Sequence, residues 1–336
     1  MPATVIGLKI KCSKNYGCYS VLNALAIYRF LVYSILVGPI DLGSLSLVRS
    51  VVHALCSKRK KLSANFFLDK QIRGLRRKNF RMRLIDDVYL VSGGSFGLGH
   101  FADCNVYLVD CGNEVILIDS GAGIDVNRLA DNVRADGFDV ERITKIMNTH
   151  CHYDHTGGDR KIKDMSGCKI FIHENGAVPL ERGDPLKTCA PRIIDFQGVH
   201  ADRKLTDGER LLIGNRKFEI LHTPGHCDDA ICILMEHPAG KVLFSGDTAQ
   251  AYGQPGVLSA DSDFHAYVKS INRLAQLGID VLLPGHGIFV LSGASEQIDH
   301  LKMKLSSSWC DFILYPPHPF TPRGMIERKL DHPQLR

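Results

Sequence analysis

The sequence predicts an α/β fold in which strands from two halves of the chain are covered by helices. From residue 83 onwards, short apolar segments separated by glycine-rich turns predict the strands. Two longer segments, 124–135 and about 263–277, carry apolar residues on one face and predict helices. Polar loops rich in histidine and aspartate follow several strands, and such loops usually carry binding and catalytic groups.

The first half contains strands, two helices and one long loop. The predicted strands are 84–91, 105–109, 114–118, 143–149 and 169–172. Helices are predicted at 124–135, where every third or fourth residue is apolar, and at about 173–180. Residues 183–206 include Pro185 and Pro191, so they are predicted to form a long loop of the kind that often acts as a lid.

The second half repeats this strand-rich character. The predicted strands are 210–213, 217–221, 230–235, 241–244 and 281–283. The first two are expected to form a hairpin, because Gly214 and Asn215 between them favour a tight turn. The helix at about 263–277 has an apolar stripe, and a last helix is predicted at about 295–306.

Metal-binding side chains are concentrated in one segment, Thr149-His150-Cys151-His152-Tyr153-Asp154-His155-Thr156-Gly157-Gly158. It holds three imidazoles and a carboxylate within six positions, and all four are good ligands for zinc or iron. Residues 143–148 before it are largely β-branched and apolar, which places the segment at the C-terminal end of a strand. There His150 and His152 can point one way, while the other two ligands reach a second position nearby.

Three more candidate ligands follow later strands. They are His226 in His222-Thr223-Pro224-Gly225-His226, Asp247 in Ser245-Gly246-Asp247-Thr248, and His286 in Leu283-Pro284-Gly285-His286-Gly287. Each lies in a loop marked by glycine or proline. The seven residues together predict a metal centre.

The order of these motifs resembles that of the metallo-β-lactamase superfamily, over roughly residues 83–305. The resemblance implies a four-layer αβ/βα sandwich with two divalent metal ions between the edges of its sheets. Zinc is the expected metal, with iron or manganese as alternatives. The implied ligands are His150, His152 and His226 for one ion, Asp154, His155 and His286 for the other, and Asp247 as a bridge between both.

This ligand set predicts a binuclear hydrolase in which a metal-bound hydroxide attacks a small ester, thioester or lactone. Asp154 is the predicted catalytic residue, because it could pass a proton to the leaving group. Asp119 resembles the aspartate of the family's Asp-x-Gly turn and is expected to hold the second nitrogen of a ligand histidine. Cys151 and Tyr153 alternate with the ligands and are predicted to point away from the metals.

Several branches of the superfamily share parts of this pattern. The ligands resemble those of glyoxalase II, but too few residues follow His286 for the helical glutathione domain of that branch. Residues 222–229 and 283–287 also resemble the lactamase-like endoribonucleases, so a metallo-endoribonuclease or phosphodiesterase is one alternative. Persulfide dioxygenases share the run 149–152 but use one iron, which is the other alternative.

The charge distribution argues against a nucleic-acid enzyme. The chain has a formal net charge of +5. Eleven lysines and arginines against one aspartate lie between Cys56 and Arg83, so the rest of the chain is net acidic. The segment with the candidate ligands therefore lacks the basic field that gathers phosphates. A small-molecule acyl substrate is the expected partner.

The ends of the chain are predicted to lie outside the catalytic domain. Residues 1–82 read as a basic and apolar N-terminal extension, 83–310 as the catalytic domain and 311–336 as a proline-rich tail. The longest apolar run of the extension is too short to span a bilayer. Its basic run could contact an anionic membrane peripherally. The 11 cysteines form no Cys-x-x-Cys pair, so reduced thiols and a cytoplasmic location are expected.

Overall fold

The computed structural model describes residues 82–258 and 262–306 of the chain. The predicted N-terminal extension up to residue 81 and the predicted tail at 311–336 lie outside these residues, so both stay predictions. No helix among the described residues is both long and apolar enough to cross a bilayer.

Seven strands make up the first sheet. They are β1 (Arg83–Ile85), β2 (Val88–Ser92), β3 (Val106–Asp110), β4 (Val115–Ile118), β5 (Ile143–Met147), β6 (Lys169–His173) and β7 (Arg203–Leu205). They lie side by side in chain order. The pairs from β1 to β4 are antiparallel, and those from β4 to β7 are parallel. Because parallel strands end at the same edge, the loops after β4 and β5 lie next to each other.

Five later strands make the second sheet and two short ones a separate ribbon. They are β8 (Arg210–Ile213), β9 (Arg216–His222), β10 (Ile231–His237), β11 (Gly240–Gly246), β12 (Ala249–Gln250), β13 (Gln254–Pro255) and β14 (Val281–Pro284). The sheet order is β14-β11-β10-β9-β8, and β12 pairs with β13. Within this five-stranded second sheet, only the β11–β14 pair is parallel. The loops after β11 and β14 therefore leave the sheet at one edge.

Helices cover the outer faces of both sheets. They are α1 (Val126–Ala135), α2 (Tyr153–Thr156), α3 (Asp159–Ser166), α4 (Glu174–Arg182), α5 (Phe264–Leu274) and α6 (Ala294–Ser306), with single 3-10 turns at Gly94–Phe96, Val140–Arg142 and Ala251–Gly253. Asp125 caps α1 by accepting a hydrogen bond from the Arg128 amide. The Asp263 carboxylate caps α5 in the same way, through the amides of His265 and Ala266.

Three buried cores separate four layers. The central core joins the two sheets, with Ile118 of one sheet and Phe244 of the other among its members. A second core packs α1 residues such as Leu129 against the outer face of the first sheet. The third core packs Tyr267 of α5 and residues of α6 against the outer face of the second sheet. The predicted αβ/βα sandwich is confirmed.

Three details of the sequence prediction were wrong. Residues 84–91 form two strands rather than one, because Asp87 adopts the left-handed conformation with φ +65° and turns the chain between β1 and β2. The predicted loop 183–206 ends in the short strand β7. Helix α3 was not predicted, because it buries only Asp159 and Ile162 and so has no apolar stripe.

Candidate metal centre

The candidate ligands of residues 149–158, called here the ligand segment, follow the end of β5, and the short helix α2 lies within this segment. The carbonyl oxygen of Thr149 accepts a hydrogen bond of 2.8 Å from the Ile231 amide of the second sheet, which ties this segment to both sheets. Gly157 follows α2 at a point of close backbone approach. A Cβ there would lie 2.4 Å from the carbonyl oxygen of Ala122, so only glycine fits without a shift. The glycine lets α2 pack against the turn after β4.

All seven predicted ligands come together at this edge of the sandwich. Donor atoms of His150, His152 and His226 lie within 4.8 Å of one another, and those of Asp154, His155 and His286 form a second such group. In the first group His226 Nε2 is 3.0 Å from His152 Nδ1. In the second group His286 Nε2 is 3.3 Å from His155 Nε2 and 3.2 Å from Asp154 Oδ2.

Asp247 lies between the two groups and turns one oxygen to each. Its Oδ2 is 3.6 Å from His226 Nε2. Its Oδ1 is 3.4 Å from His155 Nε2 and 3.5 Å from His286 Nε2. Donor atoms that bind one zinc ion at about 2.0–2.2 Å lie roughly 3.3–3.6 Å apart in a tetrahedral arrangement. The observed spacings suit one ion on each side of this carboxylate.

The hydrogen bonding of these residues also fits a metal centre. His150 Nε2, His152 Nε2 and Asp247 Oδ1 are buried and have no hydrogen-bonding partner among the described residues. Buried polar atoms without partners are rare, because each costs about 1–3 kcal/mol. A cation would satisfy the unpaired atoms at His150 and Asp247, which belong to the donor groups. The residues present therefore fit divalent ions, although the ligand roles themselves stay predictions.

Charge and burial set the protonation of these groups. Burial, and then the neighbouring His226, lowers the pKa of His152 to about 4, so this imidazole is neutral at pH 7. Neutral imidazole is the form that binds metals. Burial opposes a charge on His155, yet nearby groups, chiefly Cys104, Asp119 and Asp247, raise its pKa well above the usual value. A cation at this position would compete with that proton, because imidazole binds a metal in its neutral form.

Asp119 supports the centre from behind, as predicted. Its carboxylate lies 2.8 Å from His155 Nδ1, which leaves Nε2 of that ring directed at the second donor group. It also accepts hydrogen bonds from the amide of Thr149 at 2.7 Å and from its hydroxyl. Asp119 has φ +60°, a left-handed conformation that costs a non-glycine residue about 1–3 kcal/mol. The predicted contact with a site histidine is confirmed.

Asp229 is a supporting residue that the sequence analysis missed. It is 1% exposed, and its Oδ2 accepts a hydrogen bond of 2.8 Å from the amide of Cys151, between His150 and His152. Since Asp229 follows His226 by three residues, it joins the two loops that supply the first donor group. The signal was the pair Asp228-Asp229 directly after the His226 motif.

Cys227 is a second residue that was missed. Its Sγ lies within 4.8 Å of the donor atoms of His150, His152 and His226. Burial, and then the charge of Asp229, raises the pKa of this thiol well above its usual value. The thiol is therefore neutral at pH 7, and the three histidines remain the stronger donors.

The loop that carries His286 is held by the first sheet. Asn105 Nδ2 donates hydrogen bonds of 3.0 Å to the carbonyl oxygens of Pro284 and Gly287, on either side of His286. The Tyr107 hydroxyl donates to the Pro284 oxygen at 2.7 Å. These contacts join β3 of one sheet to β14 of the other and so fix the distance between the two halves of the centre.

Cys151, which was predicted to point away from the metals, does so, whereas the orientation of the Tyr153 side chain stays a prediction. Cys151 Sγ donates a hydrogen bond of 3.5 Å to the Lys187 carbonyl oxygen and belongs to none of the donor groups in the described part of the chain. The Tyr153 amide donates to the Thr188 carbonyl oxygen at 2.7 Å. Both contacts bind the long loop after α4 to the ligand segment.

Asp159 is a buried carboxyl group close to the centre. Its Oδ2 accepts a hydrogen bond of 2.6 Å from Asn148, while Oδ1 has no partner among the described residues. Burial raises the pKa of this carboxyl from 3.8 to about 7. The neutral acid is thus favoured by folding. Its contribution to stability is complete below pH 4 and is lost as the pH rises through about 7.

Asp159→Asn should flatten this pH dependence. Between pH 5.5 and 7 the wild-type carboxyl loses about 2 kcal/mol of stability, since one pKa unit corresponds to about 1.4 kcal/mol. The amide does not titrate and can still accept the hydrogen bond from Asn148. Thermal unfolding of both proteins at pH 5.5 and pH 8 measures the difference. If the wild type and Asp159→Asn lost the same stability between pH 5.5 and pH 8, Asp159 would already be ionised in the folded protein.

Comparison with known proteins places the chain in a family. A model of the metallo-beta-lactamase superfamily matches residues 101–286, more than half of the 336 residues. A probable metallo-hydrolase of Methanocaldococcus jannaschii is 31% identical over 202 residues, which cover 56% of this chain and 90% of that protein. An atrochrysone carboxyl ACP thioesterase of Aspergillus fumigatus is 28% identical over 204 residues, which cover 60% of this chain but only 56% of that protein.

A solved structure supports the same assignment. A subclass B3 metallo-beta-lactamase of Bradyrhizobium japonicum is 25% identical and superposes with a TM-score of 0.56, over 69% of this chain and 93% of that one. The chain belongs to the metallo-beta-lactamase superfamily, and the predicted metal-dependent hydrolase of that family is confirmed at this level.

Proposed function

We propose that the chain is a binuclear hydrolase that acts on esters, thioesters and lactones. Thioesters are its proposed preferred substrates. The observation that carries the proposal is the position of Asp247, whose two oxygens face separate groups of donor atoms. A single ion needs no such division. The likeness to a fungal ACP thioesterase supports a thioester among the acyl substrates.

The chain's own residues have distinct roles in this reaction. Bound divalent ions would supply a water nucleophile at neutral pH and polarise the acyl carbonyl. Asp247 keeps its charge, because His286 and His155 outweigh the effect of burial and hold its pKa well below the usual value. Asp119 and Asp229 hold the ligand loops in position from outside the donor groups.

Asp154 is the proposed proton carrier. Its side chain is 21% exposed, more than that of any other carboxylate in the donor groups, so it borders both the second group and the open side of the site. Nearby His155 and His286 outweigh burial and lower its pKa, so that it is ionised at neutral pH. An ionised carboxylate here can accept the proton of the attacking water and deliver it to the departing thiolate or alkoxide.

A substrate panel tests this function. Purified protein supplied with zinc should hydrolyse acyl thioesters, and a chelator should abolish the activity until metal is restored. Matched reactions with an ester, a lactone, a phosphodiester and single-stranded RNA define the preference. Cleavage of the phosphodiester or the RNA without thioester hydrolysis would establish the nuclease alternative. Oxygen consumption with a persulfide would establish the dioxygenase alternative.

A further inference from the structure

A buried pair of polar side chains joins the two ends of the ligand segment. Asn148 comes directly before residues 149–158, and Asp159 comes directly after them. Asn148 Nδ2 donates a hydrogen bond of 2.6 Å to Asp159 Oδ2, and both residues are 0% exposed. This contact closes the segment that carries four of the candidate ligands into a loop, and it does so away from solvent.

One oxygen atom of each partner has no hydrogen bond. Asn148 Oδ1 and Asp159 Oδ1 are both buried and lack a partner within the described part of the chain. An ionised carboxylate only accepts hydrogen bonds, so it cannot satisfy an amide oxygen. A neutral carboxyl has an O–H donor beside its acceptor oxygen, and an amide likewise combines donor and acceptor. A neutral Asp159 can therefore return a hydrogen bond to Asn148 Oδ1, which pairs both atoms.

The surroundings of Asp159 favour this neutral acid. Burial raises the pKa of its carboxyl to about 7. Two charged groups act on it in opposite directions, since Asp119 raises the pKa and Lys163 lowers it. The Lys163 amino group is itself paired with Asp202. The nearby thiol of Cys168 is neutral, because burial raises its pKa to about 11. Below pH 7 the pair thus carries the proton that its second hydrogen bond needs.

The pair is connected to candidate ligands at both ends of the segment. Asn148 lies two residues before His150. Ser120 lies beside the Asp159 carboxyl, and its hydroxyl donates a hydrogen bond of 3.1 Å to the His155 carbonyl oxygen. A loop that is already fixed in its binding conformation loses less conformational entropy when it binds, and so it binds more tightly.

We infer that Asn148 and Asp159 form a clasp, in which a neutral Asp159 accepts one hydrogen bond from the Asn148 amide and returns another, and that this clasp positions the ligand segment for metal binding. The inference rests on the metal centre of the proposed function but is independent of the substrate. Asp159 acts through the ligand segment, so it is a positioning residue. The clasp is complete below pH 7 and loses its second hydrogen bond as the pH rises through about 7.

Zinc affinity at pH 6, measured by competition with a chelator, tests the clasp. Asp159→Ala should weaken zinc binding by about tenfold, the lower end of the range for residues that orient metal ligands from outside. Asp159→Asn should stay within about twofold of the wild type, because two amides can exchange the same two hydrogen bonds. Asn148→Ala combined with Asp159→Ala should lose no more affinity than Asp159→Ala alone, since the two side chains act as one unit.

Asp202→Ala is the matched control. Asp202 Oδ2 accepts a hydrogen bond of 2.8 Å from the Ile170 amide and pairs with Lys163 of α3. Its loss therefore weakens the support of the same helix without removing either member of the clasp. This variant should keep the zinc affinity of the wild type. An equal loss of affinity in Asp202→Ala and Asp159→Ala would assign the effect to α3 and overturn the clasp.

Infrared spectroscopy tests the clasp without metal. The wild-type protein at pH 6 should show the carbonyl band of a buried carboxylic acid, and this band should be missing from Asp159→Asn. Absence of the band in the wild type, or an equal loss of zinc affinity in Asp159→Asn and Asp159→Ala, would overturn the clasp alone. A wild-type protein that binds no zinc would instead overturn the proposed function, while the infrared band would still report on the clasp.

Discussion

Asp247→Ala is expected to lose at least one metal ion and nearly all hydrolase activity. The carboxylate faces both donor groups, with Oδ2 toward His226 and Oδ1 toward His155 and His286. Residues that merely orient a ligand change metal affinity or activity by about 10–100-fold, so loss of a direct bridge should exceed 100-fold. Metal analysis after gel filtration and kcat on a thioester measure the two effects.

Cys151→Ala is the control for this experiment. Cys151 lies within the ligand segment, but its thiol contacts the Lys187 carbonyl oxygen instead of the donor groups. The variant should keep its metal content. If it lost metal as completely as Asp247→Ala does, the alternating orientation of side chains from His150 to Asp154 would be wrong.

Asp119→Asn is expected to weaken metal binding by about 10–100-fold. The carboxylate accepts hydrogen bonds from both the Thr149 amide and the His155 ring, and an amide replaces one of its two acceptor oxygens with a donor. Asparagine tolerates the left-handed backbone at this position, so backbone strain does not explain a loss. Competition with a chelator of known affinity measures the change.

Asp125→Asn makes the same chemical change away from the centre. Asp125 is the cap of α1, and asparagine caps helices about as well as aspartate. Its metal affinity should equal that of the wild type. An equal loss in both variants would assign the effect to net charge instead of the contact with His155.

The regular elements were predictable where apolar residues follow a clear period. Helix α1 buries Val126, Leu129, Ala130 and Val133, the same apolar face that its sequence shows. Helix α3 escaped prediction, because it is held through Asp159 and Ile162 between two glycines rather than through a stripe. Strand β7 also escaped, because it is short and its first two residues are exposed. Tertiary contacts, not local pattern, determine such elements.

The candidate ligands were predictable because each lies in a short motif at the end of a strand. The structure adds what motifs cannot show, namely that side chains from the loops after β5, β11 and β14 meet in shared donor groups. Asp229 and Asn105 support these loops from within separate strands or turns, so only the folded arrangement reveals their contacts.

The number of metal ions per chain tests the central claim most directly. Purified protein, equilibrated with zinc and freed of excess metal, should contain two ions per chain and hydrolyse a thioester, because Asp247 separates two donor groups that each suit one ion. Elemental analysis against protein concentration, with Asp247→Ala measured in parallel, gives the ratio. One tightly bound iron per fully active chain, together with oxygen consumption on a persulfide, would contradict the binuclear hydrolase.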